Sequence, residues 1–280
     1  MKGEEINEIF QPIELKKIIE GKNPKLAKRI PGFVYSLLNR ILHLNEVNSI
    51  IKNRKNNSGV EFITEVINYS GSKYEIYGIE NIPESGKFIF ASNHPLGGLD
   101  GLILLKLLNE KVGKTRTMTN DFLLEIDPLR EFFIPINKVG KQARNTAPLV
   151  EDLYKSDHQI MIFPAGLCSR KINGKITDLT WNKHFIQKAI EYKRDIIPVH
   201  FEGRNSNFFY NLANLRKKLK IKFNIEMIFL ADEMFRNKKR RFKVSFGKPI
   251  PYTYFDNTKK PLEWANEVKN ISYSLEDSSI

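Results

Sequence analysis

Short apolar runs recur along the chain beyond residue 72, separated by stretches with helical spacing. Phe88-Ile89-Phe90-Ala91-Ser92 reads as a buried strand, and Leu102-Ile103-Leu104-Leu105-Lys106-Leu107-Leu108 as a helix after it. Phe132–Ile136, Gln159–Phe163 and Ile196–Phe201 read as further strands. Tyr74–Tyr77 and Phe242–Phe246 alternate as strands do. Residues 147–155, 179–192 and 261–275 read as helices. Strands alternating with helices predict an α/β layered fold with a largely parallel sheet. Residues 1–70 differ in texture. Pro12 can open a helix, Pro31-Gly32 breaks the chain, and Phe33, Leu37, Leu38, Ile41 and Leu44 then recur at helical spacing. The expected organisation is an N-terminal helical segment, 1–70, followed by an α/β domain, 71–280.

Lys22, Lys25, Lys28 and Arg29 lie just upstream of that N-terminal amphipathic stretch. A basic segment feeding such a helix suits a membrane interface, and equally a helix packed on the protein's own core. Hydrophobic residues make up 41% of the chain and charged residues 28%, which supports a core and argues against general disorder. Lys and Arg outnumber Asp and Glu by 45 − 32 = 13, which favours an anionic partner. The densest charge run, Arg236–Lys243, fits either a membrane-contact patch or a solvated face. No helix-turn-helix, zinc-finger or RNA-binding signature accompanies the charge, so no nucleic-acid partner is expected. The single cysteine, Cys168, allows no internal disulfide. No apolar leader is visible, and no apolar stretch approaches the ~20 residues of a membrane span.

In parallel α/β sheets, sites form in loops beyond the strand carboxyl ends. The chemistry-bearing residues fall there: His94-Pro95-Leu96-Gly97-Gly98-Leu99-Asp100 after one strand, Lys138 after the next, Pro164–Arg170 after a third. A His and an Asp around a Gly-flexed turn suit a general base whose imidazole a carboxylate orients. His43, His158, His184 and His200 lack such a setting, and no pair has metal-ligand spacing, so no metal is expected.

These blocks, in this order, resemble the lysophospholipid acyltransferase superfamily, the glycerol-phosphate acyltransferase type of fold. That family carries His, four residues, then Asp, then a loop with an Arg, then Phe-Pro-Glu-Gly-Thr-Arg. Here five residues separate His94 and Asp100, Ala165 replaces the Glu, Arg170 is displaced, and Lys138 stands where an Arg is usual, with Arg144 nearby. Asn93–Gly101, Phe163-Pro164-Ala165-Gly166 with Ser169-Arg170, Trp181, and Gly203-Arg204-Asn205-Ser206 are similar to one branch. It carries a hemolysin label and includes the O-acyltransferases of ornithine-lipid and glycine-lipid synthesis.

The resemblance implies direct acyl transfer from acyl carrier protein or coenzyme A to the hydroxyl of a lyso-aminolipid, with no further cofactor. Lysophosphatidic acid is the alternative acceptor. His94 would be the base and Asp100 its orienting partner. Gly97, Gly98 or Gly166 would supply amides to the oxyanion. Lys138, Arg144, Pro164, Ser169, Arg170, Arg204 and Asn205 would contact substrate; for Arg170 a loop-closing salt bridge is the other reading. Cys168 takes no covalent part in that chemistry. The expected location is peripheral, on an anionic membrane surface at the cytoplasmic side of a bacterial inner membrane.

Overall fold

The computed structural model describes residues 12–53, 58–119, 123–136, 141–236 and 239–276, with the backbone alone at 22, 141–145 and 236. Five helices come first: α1 (Leu15–Lys22), α2 (Pro24–Arg29), α3 (Gly32–Ile41), α4 (Leu44–Asn53) and α5 (Gly59–Ser70). Gly71, in the left-handed region at φ 62°, ends α5 and turns the chain into the sheet. There follow β1 (Lys73–Tyr77), β2 (Phe88–Ser92), α6 (Leu99–Val112), β3 (Thr115–Thr119), β4 (Phe133–Pro135), α7 (Lys141–Lys155) and β5 (Gln159–Ile162). A hairpin, β6 (Arg170–Ile172) and β7 (Lys175–Thr177), precedes α8 (His184–Glu191) and β8 (Asp195–Glu202). The chain continues through α9 (Asn207–Lys218), α10 (Leu230–Arg236), β9 (Arg241–Phe246) and α11 (Pro261–Ser274).

Among the described residues the main sheet has the order β1-β9-β8-β2-β5-β3-β4. Every neighbouring pair is parallel except β8 with β9. This is the α/β, largely parallel architecture that the alternation predicts. Successive side chains of a strand point to opposite faces. Phe88 and Phe90 of β2 thus join one core with α5 and α6, while Ile89 and Ala91 join a second with α8 and α11. All five β2 residues are buried, which places this strand centrally and fixes the direction of the loop that leaves it.

Residues 44–70 are not an appendage. Val47, Ile50, Phe62, Ile63, Val66 and Ile67 belong to the same core as Phe88 and Phe90. The boundary expected at residue 70 falls inside that shared core. Helices α1 and α3, with Leu44 at the start of α4, form a small cluster around Leu15, Tyr35 and Leu44.

Several element readings differ from the structure. The helix expected over 179–192 begins only at His184, because Trp181 Nε1 donates to Asp178 and Asn182 is held on the Pro164 carbonyl. The helix expected at 147–155 starts earlier, at Lys141, with Pro148 inside it. Helix α9 and the β6–β7 hairpin were not expected, although Asn173-Gly174, at φ 49° and 83°, is a strong two-residue hairpin turn.

Candidate active site

The β2 strand delivers Asn93 and His94 to the sheet's carboxyl edge. Asn93 Nδ2 donates to the Phe201 carbonyl at 3.0 Å, and Phe201 N–H donates to Asn93 Oδ1 at 2.7 Å. This reciprocal pair locks the loop root to β8. The turn that follows brings Asp100, in the first turn of α6, back under His94. His94 Nδ1 lies 3.0 Å from Asp100 Oδ2. The same oxygen accepts from Leu96 N–H at 2.9 Å and more loosely from Gly97 N–H at 3.4 Å. Oδ1 accepts from Gly101 N–H at 2.9 Å.

Asp100 is fully buried. Burial is the largest single influence on its carboxyl and pushes it up, but the charge and hydrogen bond of His94, with the Leu96 and Gly101 amides, together hold it below its ordinary value. The group is therefore a carboxylate at neutral pH and can only accept. Nδ1 of His94 must then be the donor, which leaves Nε2 of the neutral ring as a lone-pair base. Among the described residues Nε2 has no hydrogen-bond partner. The ring stacks on Phe163 with centroids 3.8 Å apart and planes at 19°, so its orientation is fixed from the side as well. His94 keeps 15% side-chain exposure.

Gly97 sits at φ 78°, where a side chain is strained, and an added Cβ would meet Leu230 at 2.8 Å and Cys168 Cβ at 3.1 Å. At Gly98 a Cβ would meet nothing within 4 Å. The two glycines thus do different things: the first permits the turn, the second leaves space at the start of α6.

The loop after β5 closes the other side. Ser169 N–H donates to the His94 carbonyl at 2.7 Å. Ser169 Oγ and His94 N–H both reach Asp178 Oδ1, at 2.6 and 3.3 Å, while Trp181 Nε1 donates to Asp178 Oδ2 at 2.9 Å. Asp178 is a positioning residue that the sequence reading missed. Its Asp178-Leu179-Thr180-Trp181 spacing was the available signal.

Several expected substrate contacts are engaged internally. Arg170 is buried; its Nη2 pairs with Glu226 Oε1 at 3.0 Å and its Nη1 donates to the Cys168 carbonyl at 2.6 Å. Arg216 Nε lies 2.8 Å from the other oxygen of Glu226, an ion pair without hydrogen-bond alignment. Ser169 and Asn205 are buried too, and Asn205 Nδ2 donates to the Pro95 and Leu96 carbonyls, each at 3.3 Å. The Pro164 carbonyl accepts from Asn182, and the Gly166 amide is taken by the Phe163 carbonyl at 2.9 Å. Arg204 is exposed and donates to Asn207 Oδ1. Lys138 lies outside the described residues, and of Arg144 only the backbone in α7 is described. Burial pushes the Cys168 thiol up to about 11 against the opposing influence of Arg170, so it is a neutral core thiol at neutral pH.

A family profile described as acyltransferase matches residues 17–279. The chain belongs to the acyltransferase family. This acyltransferase is 50% identical over 264 residues to a lyso-glycine lipid O-acyltransferase of Bacteroides thetaiotaomicron, covering 94% of the chain and 97% of that relative. It is 49% identical to a protein of the same name from Phocaeicola vulgatus, covering 94% of the chain and 95% of that relative. Among solved structures, a 1-acyl-sn-glycerophosphate acyltransferase of Thermotoga maritima superposes with a TM-score of 0.48 at 15% identity, over 88% of this acyltransferase and 92% of that chain.

Proposed function

We propose that this acyltransferase moves a fatty acyl group from a thioester to the hydroxyl of a lyso-glycine lipid, an N-(3-hydroxyacyl) glycine. The observation that carries the proposal is the near-full-length identity of about half to two relatives named for that reaction. The His94–Asp100 pair supplies the chemistry. His94 Nε2 takes the proton of the acceptor hydroxyl while its oxygen attacks the thioester carbonyl. Asp100 holds the ring and stabilises the imidazolium that forms. The tetrahedral intermediate collapses, the carbon–sulfur bond breaks, and the proton passes from His94 to the departing thiolate. Gly98 N–H has no hydrogen-bond partner among the described residues and is the amide offered to the developing oxyanion.

The donor is acyl carrier protein or coenzyme A, and the net charge of +13 suits either anionic carrier. A glycine headgroup carries one carboxylate, whereas lysophosphatidic acid carries a phosphate that calls for more than one cation. The neutralisation of Arg170 by Glu226 favours the smaller charge. No helix among the described residues is long and apolar enough to cross a membrane, and the proposed location is peripheral, on the cytoplasmic face of a bacterial inner membrane.

The test is the lipid profile of cells lacking the protein, complemented with wild type or His94→Ala. Accumulated N-(3-hydroxyacyl) glycine, cleared only by wild type, is the expected result. Accumulated lysophosphatidic acid would replace the acceptor, and clearance by His94→Ala would refute the base.

A further inference from the structure

Helix α9 has two apolar faces: one is buried, and the other is largely exposed, its one ring contact being Phe208 edge-on to Phe229 at 5.1 Å among the described residues. Phe209, Tyr210 and Ala213 are buried, with Phe209 and Tyr210 against Cys168 in the loop beside His94. On the opposite side, Phe208, Leu215 and Leu219 follow one another seven and four residues apart, which puts them on one line of the helix surface. They are 53%, 52% and 60% exposed. The chain then turns through Ile221 and Phe223, the latter 65% exposed. Solvated large apolar side chains this close together mark an interaction surface.

The charge around them is one-signed. Lys217, Lys218, Lys220 and Lys222 are interleaved with these apolar residues, while Arg216 is engaged by the buried Glu226, and no acidic residue lies between Glu202 and Glu226 in the sequence. A helix C-terminus favours cations in its last turn, which accounts for Arg216–Lys218. It does not account for Lys220 and Lys222 beyond the helix, nor for the exposed leucines and phenylalanine. Aromatic and leucine side chains flanked by lysines match the boundary between acyl chains and anionic headgroups, where the ammonium groups reach phosphates and the apolar groups enter the lipid.

We infer that the outer face of α9 and the turn over residues 219–223 are the surface on which the protein docks to an anionic bilayer. The inference rests on the lipid-acceptor reading for its purpose, but not for its observations. It gives the docking face a direct relation to chemistry. The inner face of α9 packs on Cys168, whose neighbour Ser169 holds the His94 carbonyl. The same stretch leads into the 3₁₀ turn Ile225–Phe229, with Glu226 on Arg170, and then to Leu230 against Gly97. An acceptor leaving the bilayer at this face is one helix thickness from the catalytic turn. The exposed Phe33 and Leu37 of α3 are the competing apolar patch, beside the small cluster of Leu15, Tyr35 and Leu44.

Sedimentation with vesicles of phosphatidylethanolamine and phosphatidylglycerol tests the surface. Wild type is compared with Leu219→Asp/Phe223→Asp, with Lys217→Glu/Lys220→Glu/Lys222→Glu and with Phe33→Asp/Leu37→Asp. The first two sets should each lower vesicle partition at least about tenfold, while the α3 pair lowers it less. Turnover of detergent-dispersed acceptor should stay near wild type in the α9 variants, which reports that the fold and site are intact. Unchanged vesicle binding in the α9 variants, or loss in the α3 pair alone, overturns the inference. So does a lysine variant that binds vesicles normally but shows a raised KM for acyl carrier protein, because the tract is then a protein dock. Loss of vesicle binding in α9 variants of a wild type that fails to acylate lyso-glycine lipid would keep the docking face and reject the acceptor.

Discussion

The two loops that meet at the candidate active site use polar groups in opposite ways. In residues 93–100 after β2, the Leu96 and Gly97 amides and the His94 imidazole all converge on one buried carboxylate, Asp100, and the far nitrogen of that ring has no partner among the described residues. In residues 163–170 after β5, the charged side chain is turned inward and matched. Arg170 meets Glu226, which Arg216 also approaches. The first loop keeps a reactive atom open, and the second holds the shape around it. The contrast teaches that residue type at a motif position does not decide role. A guanidinium with a buried carboxylate at 3.0 Å is already satisfied, whereas an imidazole with one nitrogen held and the other free is ready for proton transfer.

The sharpest separation is kinetic. His94→Ala should slow acyl transfer about 10⁴-fold and cost about 1–3 kcal/mol of stability, since the buried Asp100 carboxylate loses its side-chain partner; single-turnover rates with thermal unfolding check both. Asp100→Asn should slow transfer about 10²- to 10³-fold, because the amide can present the wrong group to Nδ1. It should also reveal the carboxylate's share of stability. The folded carboxyl lies below its ordinary value of 3.8, so its stabilisation is present above that value and lost as pH falls through the folded one. The stability gap between wild type and Asp100→Asn should therefore be widest near neutrality and narrow below about pH 4, in urea titrations across pH.

The second loop should respond in stability rather than chemistry. Glu226→Gln leaves two guanidiniums short of a buried partner and should cost about 3–5 kcal/mol of unfolding free energy. Arg170→Met should cost about 3 kcal/mol and leave the acceptor KM within about threefold. A KM raised a hundredfold with unchanged stability would make Arg170 a headgroup ligand and erase the contrast. At the smallest scale, Gly97→Ala should cost about 1–2 kcal/mol, since it meets Leu230 and Cys168 at positive φ. Gly98→Ala, with open space around it, should cost under about 1 kcal/mol. Equal costs at the two glycines would contradict the turn geometry.

How much of this the sequence carries follows the same division. The His94–Asp100 turn is legible because two apolar runs bracket it and leave His, two glycines and Asp as the polar content between strand and helix. The parallel α/β order is legible from those runs. The Glu226 partner of the second loop is not, because it lies 56 positions from Arg170, and the tie of Asp178 to His94 spans 84, both beyond any local pattern. Strand β3, Thr115-Arg116-Thr117-Met118-Thr119, is too polar to announce itself, and α9 carries apolar residues on two faces, which blurs its period. Family resemblance named Arg170, Ser169 and Asn205 as a set; their burial and partners are a matter of packing that only the fold displays.

The measurement that bears most directly on the central claim is a competition assay with purified protein, one acyl thioester, and equal amounts of N-(3-hydroxyacyl) glycine and lysophosphatidic acid. The account predicts that wild type adds one acyl chain to the glycine lipid hydroxyl in preference, and that His94→Ala adds it to neither. Preferential acylation of lysophosphatidic acid, or transfer by His94→Ala near the wild-type rate, would contradict it.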